Sequence, residues 1–257
     1  MFKRLIAPAF VALLAVSAPV LAQSAPPTAE ERARIESVIR DYLLKNPEIL
    51  QEALVELEKR QAQAEDRARA AAFSANRDAL YRAPNQVVLG NPQGDVTLVE
   101  FFDYNCGFCK RALPETLELL RSDPRLRIVL KDFPVLGQGS MEAAQVAVAL
   151  KLQISAPKYL EFHQKLLGGR GQANGARALE VAREVGADMA RLQRDMQSPQ
   201  VRDTLAENMR LAETLRINGT PTYVVGDEVV VGAVGLEKLR ENLARARVAC
   251  AGQPNMC

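Results

Sequence analysis

The feature that most restricts this chain is a pair of cysteines, Cys106 and Cys109, at the point where a strand pattern gives way to a helix pattern. Residues 95–104 carry the β-branched and aromatic side chains typical of a buried strand, and a helical pattern containing Pro114 follows the pair. Free backbone amides and the helix dipole stabilise a thiolate at the start of a helix. We therefore expect Cys106 to be an exposed nucleophile. Cys109, one turn further along the same face, would attack a disulfide formed at Cys106.

Three other interpretations of the cysteine pair are weaker. A zinc site needs more ligands, but Cys250 and Cys257 lie far along the chain and form no second closely spaced pair, and the sequence has one histidine, His163. Covalent haem attachment needs a histidine at position 110, where this chain has lysine. A purely structural disulfide rarely opens a helix with this spacing. We therefore expect thiol redox chemistry, with neither a metal nor a cofactor.

The first 22 residues have the three-part pattern of a secretory signal peptide. Lys3 and Arg4 precede an apolar run from Leu5 to Val20, and small residues end the pattern at Ala22. Because the run is shorter than the roughly 20 residues that span a bilayer, we expect cleavage rather than a membrane anchor, and export to the periplasm. In an oxidising compartment, cysteines more often pair with one another than hold zinc.

The chain that remains after cleavage has no excess of positive charge. The sequence holds 33 Lys and Arg against 31 Asp and Glu, and removing Lys3 and Arg4 leaves 31 of each sign. Binding to nucleic acid or to anionic lipid depends on a basic excess. We therefore expect neither kind of partner.

Residues 23–83 have the composition of a helical arm. After a polar linker, residues 28–31 (Thr-Ala-Glu-Glu) form a capping-box sequence, in which the Thr hydroxyl and the Glu carboxylate bond free amides at a helix start. Residues 46–48 (Asn-Pro-Glu) are a second start signal. No Gly or Pro follows until after Arg82, and one helix over residues 47–82 would be about 54 Å long.

The apolar stripe of this arm is too thin for a core element. It consists of three leucines followed by three alanines: Leu50, Leu54, Leu57, Ala64, Ala68 and Ala71. A long helix with such a stripe needs a partner to be stable. We expect residues 28–82 to join two or more copies of the chain. The alternatives are a solvated helical spacer and a helix folded back on its own domain.

A second composition begins at Pro84. Strand patterns at 87–90 and 95–104 flank a turn, and a buried-type strand at 126–133 follows the helix after the cysteines. Residues from 140 to about 217 are helical in pattern. A hairpin (222–225 and 228–231) and a last helix (236–248) complete the chain. This order predicts an α/β fold with a large helical insertion.

Two separated segments resemble one known family. Residues 99–110 (VEFFDYNCGFCK) resemble the active-site strand and helix start of DsbA-like thioredoxin-fold proteins, and residues 217–222 (INGTPT) resemble the cis-proline loop of that family. The resemblance covers roughly residues 84–248. It implies a thioredoxin fold over residues 84–257 with a helical insertion at about 140–217, and thiol–disulfide oxidoreductase activity. The arm (23–83) and the signal peptide (1–22) would precede that domain.

The resemblance implies roles for four further residues. Pro221 would be cis and face the cysteine pair, with the backbone of Thr220 turned toward Cys106, where it could pair with a substrate peptide as a short strand. Glu100 and Lys131 would form a charged pair beneath the active site, where a carboxylate could accept or relay the proton of the resolving thiol. From the residues alone, Pro221 could equally be a trans turn proline, and either charged side chain could reach solvent.

Two features set the expected direction of the reaction. Strongly oxidising members of that family carry a His between the cysteines, where this chain has Gly107 and Phe108, so we expect a less stabilised thiolate and a less oxidising couple. Residues 46–50 and the helix after them resemble the N-terminal extension of the suppressor-of-copper-sensitivity C proteins and related isomerases. That resemblance implies the assembly of several active sites around one substrate.

The function expected from the sequence is that of a periplasmic disulfide isomerase or reductase. Its substrates would be misfolded exported proteins with disulfides, and a membrane-bound redox partner would keep the cysteine pair reduced. One alternative is a disulfide-forming oxidase. The alternative from another class is a copper-binding protein or a polypeptide holdase chaperone.

The remaining candidate residues lie outside these motifs. Cys250 and Cys257 could form a small structural disulfide, or could stay free or bond to another molecule. Met256 and Cys257, together with the thiol pair, could also bind copper(I), which prefers soft sulfur ligands. We expect His163 to be a surface or half-buried residue of an amphipathic helix.

Overall fold

The computed structural model describes residues 26–251. The predicted signal peptide, residues 1–22, and Cys257 lie outside the described residues. The described chain divides into two compact units, one ending at Gln61 and the other beginning at Ala62. None of the helices within residues 26–251 combines the length and the apolar character needed to cross a membrane.

Helices predominate, and the strands form one sheet in the second unit. The helices of the described residues are α1 (Ala29–Lys45), α2 (Glu48–Ala75), α3 (Arg77–Tyr81), α4 (Gly107–Ser122), α5 (Gln138–Lys151), α6 (Ala156–Leu167), α7 (Gly175–Glu184), α8 (Met189–Met196), α9 (Pro199–Thr214) and α10 (Leu236–Cys250). The strands are β1 (Val87–Gly90), β2 (Val96–Phe102), β3 (Leu126–Asp132), β4 (Thr222–Val225) and β5 (Glu228–Val231).

Helix α1 begins and ends as its sequence predicts. The Thr28 hydroxyl accepts the backbone N–H of Glu31 at 3.3 Å, and the Glu31 carboxylate accepts the backbone N–H of Thr28 at 2.9 Å. This reciprocal pair satisfies two amides at the helix start. At the other end the Asn46 side-chain amide donates to the carbonyl of Tyr42 at 2.9 Å. The chain then restarts as α2 just after Pro47.

Most large apolar side chains of α1 and of the first half of α2 face outward. They are half or more exposed: Ile35, Val38, Ile39, Tyr42, Leu44, Leu50, Leu54, Val55 and Leu57. Helix α1 buries no residue at all. Helices owe most of their stability in water to packing of an apolar face, so these faces have the chemistry of an unfilled interface.

The continuous helix predicted from residue 47 to residue 82 is interrupted at Asn76. The backbone of Asn76 has φ −110° and ψ 13°, and its side-chain amide donates to the carbonyl of Ala72 at 2.8 Å. Asparagine side chains compete with the backbone for helix carbonyls in this way. As a result α2 ends at Ala75, and α3 is a separate short helix.

The second unit also begins earlier than the predicted boundary after residue 83. Phe73 near the end of α2, and Leu80 and Tyr81 in α3, are buried in an apolar cluster against one face of the sheet. The Tyr81 hydroxyl donates to the carbonyl of Gly226 in the β4–β5 turn. Residues 62–83 therefore belong with the sheet rather than with the arm.

The sheet has the strand order β1-β3-β2-β4-β5. Strands β2 and β3 are parallel, and the other neighbouring strands are antiparallel. Every residue of β2 is buried, which is typical of a central strand covered on both faces. The β4–β5 hairpin has the bounds that its sequence predicts. The mixed sheet and its flanking helices form the predicted DsbA-like thioredoxin fold.

Alternate residues of β2 face two different apolar clusters. Leu98 and Phe102 pack into the larger cluster, together with α4, α10 and the insertion helices. Val99 and Phe101 pack into the smaller one, together with α3 and the end of α9. Because successive side chains of a strand point to opposite faces, a residue's position in the strand decides which cluster it joins.

The predicted helical insertion forms helices α5 to α9. It lies between β3 and β4, and its first helix begins at Gln138, two residues before the predicted start. Each of its last three helices has a polar side chain that accepts a hydrogen bond at its first turn: Asn174 for α7, Asp188 for α8 and Ser198 for α9. The loop between α6 and α7 lies at the end of the sheet where β2 ends.

The burial of Phe73 yields a test of where the second unit begins. Replacing Phe73 by Ala should lower the free energy of unfolding by about 3 to 5 kcal/mol, because a buried aromatic side chain is lost and a cavity remains. Replacing Val55, which is exposed, by Ala should change it by less than about 0.5 kcal/mol. Urea unfolding followed by circular dichroism measures both. Equal effects from the two variants would contradict this boundary.

Candidate active site

Cys106 is the N-cap residue of α4, immediately after the turn that ends β2. Its backbone is extended, with φ −73° and ψ 114°, and its sulfur accepts the backbone N–H of Cys109 at 3.2 Å. The sulfur thus serves as the N-cap of the helix and lies where free amides and the helix dipole favour negative charge. This is the position predicted for the nucleophile.

Cys106 is less exposed than predicted. Only 4% of its surface is accessible, because the loop before β4 covers it. Its thiol donates to the carbonyl of Thr220 at 3.1 Å. The backbone of Thr220 is therefore in direct contact with the sulfur.

The loop that covers Cys106 contains the Thr220–Pro221 peptide bond, which is cis, as the resemblance implied. Thr222 begins β4 and pairs with Phe101 of β2, so the sheet itself brings this loop beside the cysteines. The Thr222 hydroxyl donates to the carbonyl of Gly219 at 2.7 Å and closes the loop. Thr220 and Pro221 therefore lie at the active site although they are more than a hundred residues from it in sequence.

Cys109 lies one turn into α4 and is fully buried. Both active-site cysteines are thiols in this structure. Burial raises the pKa of the Cys109 thiol, and its hydrogen bond with Cys106 and the charge of Glu100 raise it further. A thiol held in its protonated form needs a nearby base before it can attack a disulfide.

Glu100 is a carboxylic acid buried beneath Cys109. It lies in β2, is 1% exposed, and accepts the Thr116 hydroxyl at 3.2 Å. Burial raises the pKa of Glu100 to about 7, the Thr116 hydrogen bond opposes that rise, and the charge of Glu115 adds to it. A carboxyl group with a pKa near neutrality can both accept and return a proton. Glu100 is thus suited to take the proton of Cys109.

Lys131 does not pair with Glu100, which corrects the prediction of a charged pair beneath the active site. In the parallel register Glu100 is opposite Leu130, whereas Lys131 is opposite Phe101 and points to the other face of the sheet. There the Lys131 ammonium donates to the carbonyl of Ala79 at 2.6 Å. Burial lowers the pKa of Lys131 to about 8. Lys131 holds α3 against the sheet and takes no part in the active site.

His163 is buried, so the prediction of a surface or half-buried helix residue was wrong. Its ring packs edge-on against Phe102 and lies 3.3 Å from the Tyr104 hydroxyl through Nδ1. Burial lowers the pKa of His163 to about 3, so the ring is neutral at physiological pH. Helix α6 packs this residue toward the sheet, where it contacts Phe102 and Tyr104 at the turn that leads to Cys106.

Arg111 supplies a charge that the motif lacks. Its guanidinium carbon lies 4.2 Å from the centre of the Phe108 ring, and a Cβ at Gly107 would be 4.0 Å from one of its nitrogens. A permanent cation therefore covers the two residues between the cysteines. The signal in the sequence was its spacing, three residues after Phe108 on a helix.

Cys250 forms a disulfide bond. Its predicted partner, Cys257, lies outside the described residues, so the predicted pairing stays a prediction. Among residues 26–251 no group of three or more His, Cys, Asp or Glu side chains is arranged to hold a metal ion.

Comparisons with known protein families match the two parts of the chain separately. The model of the DsbA-like thioredoxin domain matches residues 97–244, which include both cysteines and Pro221. The chain belongs to this DsbA-like thioredoxin domain family. The N-terminal domain of the copper resistance protein ScsC matches residues 31–64, within the arm. The activity of the family is thiol–disulfide exchange, and the geometry of the cysteine pair is that of such an oxidoreductase.

Solved structures show the same two-part likeness. A thioredoxin-like oxidoreductase from Silicibacter pomeroyi is 48% identical, with a TM-score of 0.64, over 67% of this chain and 98% of that one. ScsC of Proteus mirabilis, in a conformation described as transitional, is 27% identical with a TM-score of 0.63. That match covers 87% of this chain and 98% of that one, so it includes much of the arm.

The curated relatives match a smaller part of this chain. The thiol:disulfide interchange protein DsbA of Bordetella pertussis is 26% identical over 146 residues, which cover 55% of this chain and 68% of that protein. The chain also matches the Na⁺/H⁺ antiporter NhaA 1 of Salinispora arenicola at 27% identity over 157 residues. It spans only 23% of the length of that protein.

The burial of Glu100 predicts a dependence of stability on pH. The folded protein keeps Glu100 protonated up to about pH 7, whereas its ordinary pKa is 4.5. Between these values the unfolded chain releases the proton and the folded chain retains it, so stability falls as pH rises. From about pH 4 to about pH 8, the wild type should lose about 3 kcal/mol more than Glu100→Gln.

Urea unfolding at both pH values measures this difference. Asp132, whose pKa burial raises to about 8, contributes equally to the wild type and to the variant, so it cancels in the comparison. The Gln side chain keeps an acceptor for the Thr116 hydroxyl. Parallel stability curves for the two proteins would show that Glu100 is ionised in the folded state.

Proposed function

We propose that this protein is an exported thiol–disulfide isomerase or reductase that works in the periplasm on misfolded proteins. The observation that carries the proposal is an outward-facing apolar helical arm joined to a dithiol domain. Support for the compartment comes from the signal-peptide pattern of residues 1–22 and from a likeness to a periplasmic thioredoxin-like protein of Salmonella enterica.

The chemistry starts from the reduced cysteine pair. The Cys106 thiolate attacks one sulfur of a substrate disulfide, so that a mixed disulfide forms and the other substrate sulfur leaves as a thiolate. In isomerisation that thiolate attacks another disulfide of the same substrate, a substrate thiolate finally displaces Cys106, and no net electrons are transferred. In reduction Cys109 attacks the mixed disulfide, the pair becomes oxidised, and the substrate gains two electrons.

Three groups of this chain assist these steps. The helix start at Cys106 stabilises the leaving sulfur when the mixed disulfide breaks. Glu100 accepts the proton of Cys109 as Cys109 attacks, and returns it when the pair is reduced again. The backbone of Thr220, already in contact with the Cys106 sulfur, offers an edge on which a substrate peptide lies as a short strand.

The arm would join copies of the chain through α2. Leu50, Leu54 and Leu57 recur at the four- and three-residue spacing of a coiled-coil seam, and all three are half or more exposed. Several dithiol sites on one assembly raise the effective concentration of thiolates around one substrate. That benefit is greatest for isomerisation, because a wrongly bonded protein needs repeated attack at different disulfides.

A disulfide-forming oxidase is the second candidate. The likeness to DsbA of Bordetella pertussis favours it, and the same site run in reverse would donate its disulfide to a substrate dithiol. In the isomerase, a membrane-bound redox partner would reduce the pair after each net reduction. The oxidation state of the protein isolated from its own cell envelope separates the two candidates: dithiol for the isomerase, disulfide for the oxidase.

Charged substitutions in the α2 seam test the role of the arm. The double variant Leu54→Glu and Leu57→Glu should be monomeric, and should refold a scrambled-disulfide protein at least about tenfold more slowly at equal active-site concentration. Its reduction of a substrate with a single disulfide should be unchanged, because the dithiol site is intact. Light scattering measures the mass, and recovery of substrate activity measures isomerisation.

The matched control is Ala62→Glu, which adds a charge at an exposed position of the same helix, outside the leucine seam and outside the apolar residues named above. It should keep both the mass and the activity of the wild type. A wild-type protein that is already monomeric, or a monomeric variant that isomerises as fast as the wild type, would overturn the proposal. So would stoichiometric copper(I) binding without any disulfide exchange, which would instead support the copper-binding alternative.

A further inference from the structure

The two residues that border the catalytic motif bond to the same loop of the helical insertion. Asn105 precedes Cys106, and Lys110 follows Cys109. Residues 168–174, here called the insertion loop, connect α6 to α7. No other part of the insertion is hydrogen-bonded by both of these side chains among the described residues.

Asn105 bonds the insertion loop as a neighbouring strand would. Its side-chain amide nitrogen donates to the carbonyl of Ala173 at 2.8 Å, and its side-chain oxygen accepts the N–H of Ala173 at 2.8 Å. The same amide nitrogen donates to the Ser140 hydroxyl at 2.9 Å. The side chain is therefore satisfied on both its donor and acceptor sides, which fixes its orientation.

Lys110 holds the other end of the loop. Its ammonium donates to the carbonyls of Gly169 and Gly171 at 3.1 and 3.3 Å. Gly171 has φ +82°, a backbone conformation that other residues rarely adopt. A Cβ at Gly169 would come within 2.9 Å of the Lys165 carbonyl. The glycines thus allow the loop to turn both carbonyls toward one lysine.

Asp103 anchors a second loop at the same turn. Its carboxylate accepts four hydrogen bonds: the backbone N–H groups of Asn105, Val135 and Leu136, and the Ser140 hydroxyl, at 2.7 to 3.0 Å. Val135 and Leu136 are themselves exposed. The turn between β2 and Cys106 therefore fixes an apolar loop as well as the polar insertion loop.

We propose that Asn105 and Lys110 are positioning residues that hold the insertion loop beside Cys106 as a wall of the surface that receives a substrate polypeptide. The inference rests on the proposed function, because it needs a polypeptide substrate. Arg170 and Gln172 of the loop are exposed, and with Phe108 and Arg111 they present an apolar and cationic surface around the motif. Such a surface fits an extended polypeptide with acidic side chains near its cysteine.

Asn105 and Lys110, here called the clamp residues, act on substrate binding and leave the thiol chemistry intact. Cys106 keeps its helix start and its contact with Thr220 when either clamp residue is removed, since neither residue bonds to its sulfur. A small disulfide reaches the sulfur without contacting the loop. A peptide disulfide contacts it, and loses binding when the loop moves.

The experiment uses the reduced full chain and two disulfide probes. In the peptide assay, glutathione, glutathione reductase and NADPH reduce the cysteine pair after each turnover, so that KM and kcat are defined. Asn105→Ala and Lys110→Met are compared with the wild type in their rates with 2,2′-dithiodipyridine, and with an acidic peptide that carries one mixed disulfide with glutathione. Lys165→Met is the matched control, because Lys165 is a lysine of α6 that pairs with Glu184 and not with the loop. Hydrogen exchange of the amides in residues 168–174 reports loop order directly.

We expect each clamp variant to raise the KM for the peptide about five- to tenfold with little change in kcat, to leave the dithiodipyridine rate unchanged, and to speed exchange in the loop. Lys110→Arg, which keeps a cation, should restore much of the peptide KM. Equal losses of rate with both probes would mean that the two residues only maintain the structure of the cysteine motif. An unchanged KM for the peptide would mean that the loop does not contact the substrate. Either result overturns the inference. A wild type that exchanges with neither probe would instead refute the proposed function.

Discussion

The hydrogen bond from the backbone N–H of Cys109 to the sulfur of Cys106 is the interaction on which the site depends. It makes the nucleophile the cap of its own helix, so the dipole of α4 and the free amides of its first turn act on the reacting atom. The position of that cap is set by β2, a strand buried along its whole length, which delivers the chain to the helix start. Glu100, which exchanges the proton, Thr220, which contacts the sulfur, and Asn105, which bonds the insertion loop, all lie around this junction.

Successive side chains of a strand point to opposite faces of the sheet, and this alternation decides which face carries each buried charge. Glu100 lies on the face that α4 covers, and can exchange a proton with Cys109 there. Lys131 lies on the opposite face, where it bonds the carbonyl of Ala79 in α3. Removing the cation from the side of Glu100 leaves burial to dominate its ionisation, so the acid keeps its proton to about pH 7. The same sheet therefore separates the chemistry of the dithiol from the packing of α3.

Local features of the structure could be predicted from the sequence, whereas contacts between distant segments could not. The capping box at Thr28, the β4–β5 hairpin and the cysteine pair at a helix start depend on residues a few positions apart, and they occur as predicted. The face taken by Lys131 depends on the register between β2 and β3, and the burial of His163 depends on how α6 packs. The bonds of Asn105 and Lys110 to the insertion loop join residues about sixty positions apart, which no local pattern reveals.

The most direct measurement is a trapping experiment with Cys109→Ser. Without the resolving thiol, the mixed disulfide formed at the nucleophile should accumulate with a scrambled-disulfide substrate. Proteolysis and mass spectrometry under non-reducing conditions identify the cysteine that carries the substrate. We predict one adduct per chain, attached through Cys106. An adduct attached through Cys250, or no adduct while the wild type still exchanges disulfides, would contradict it.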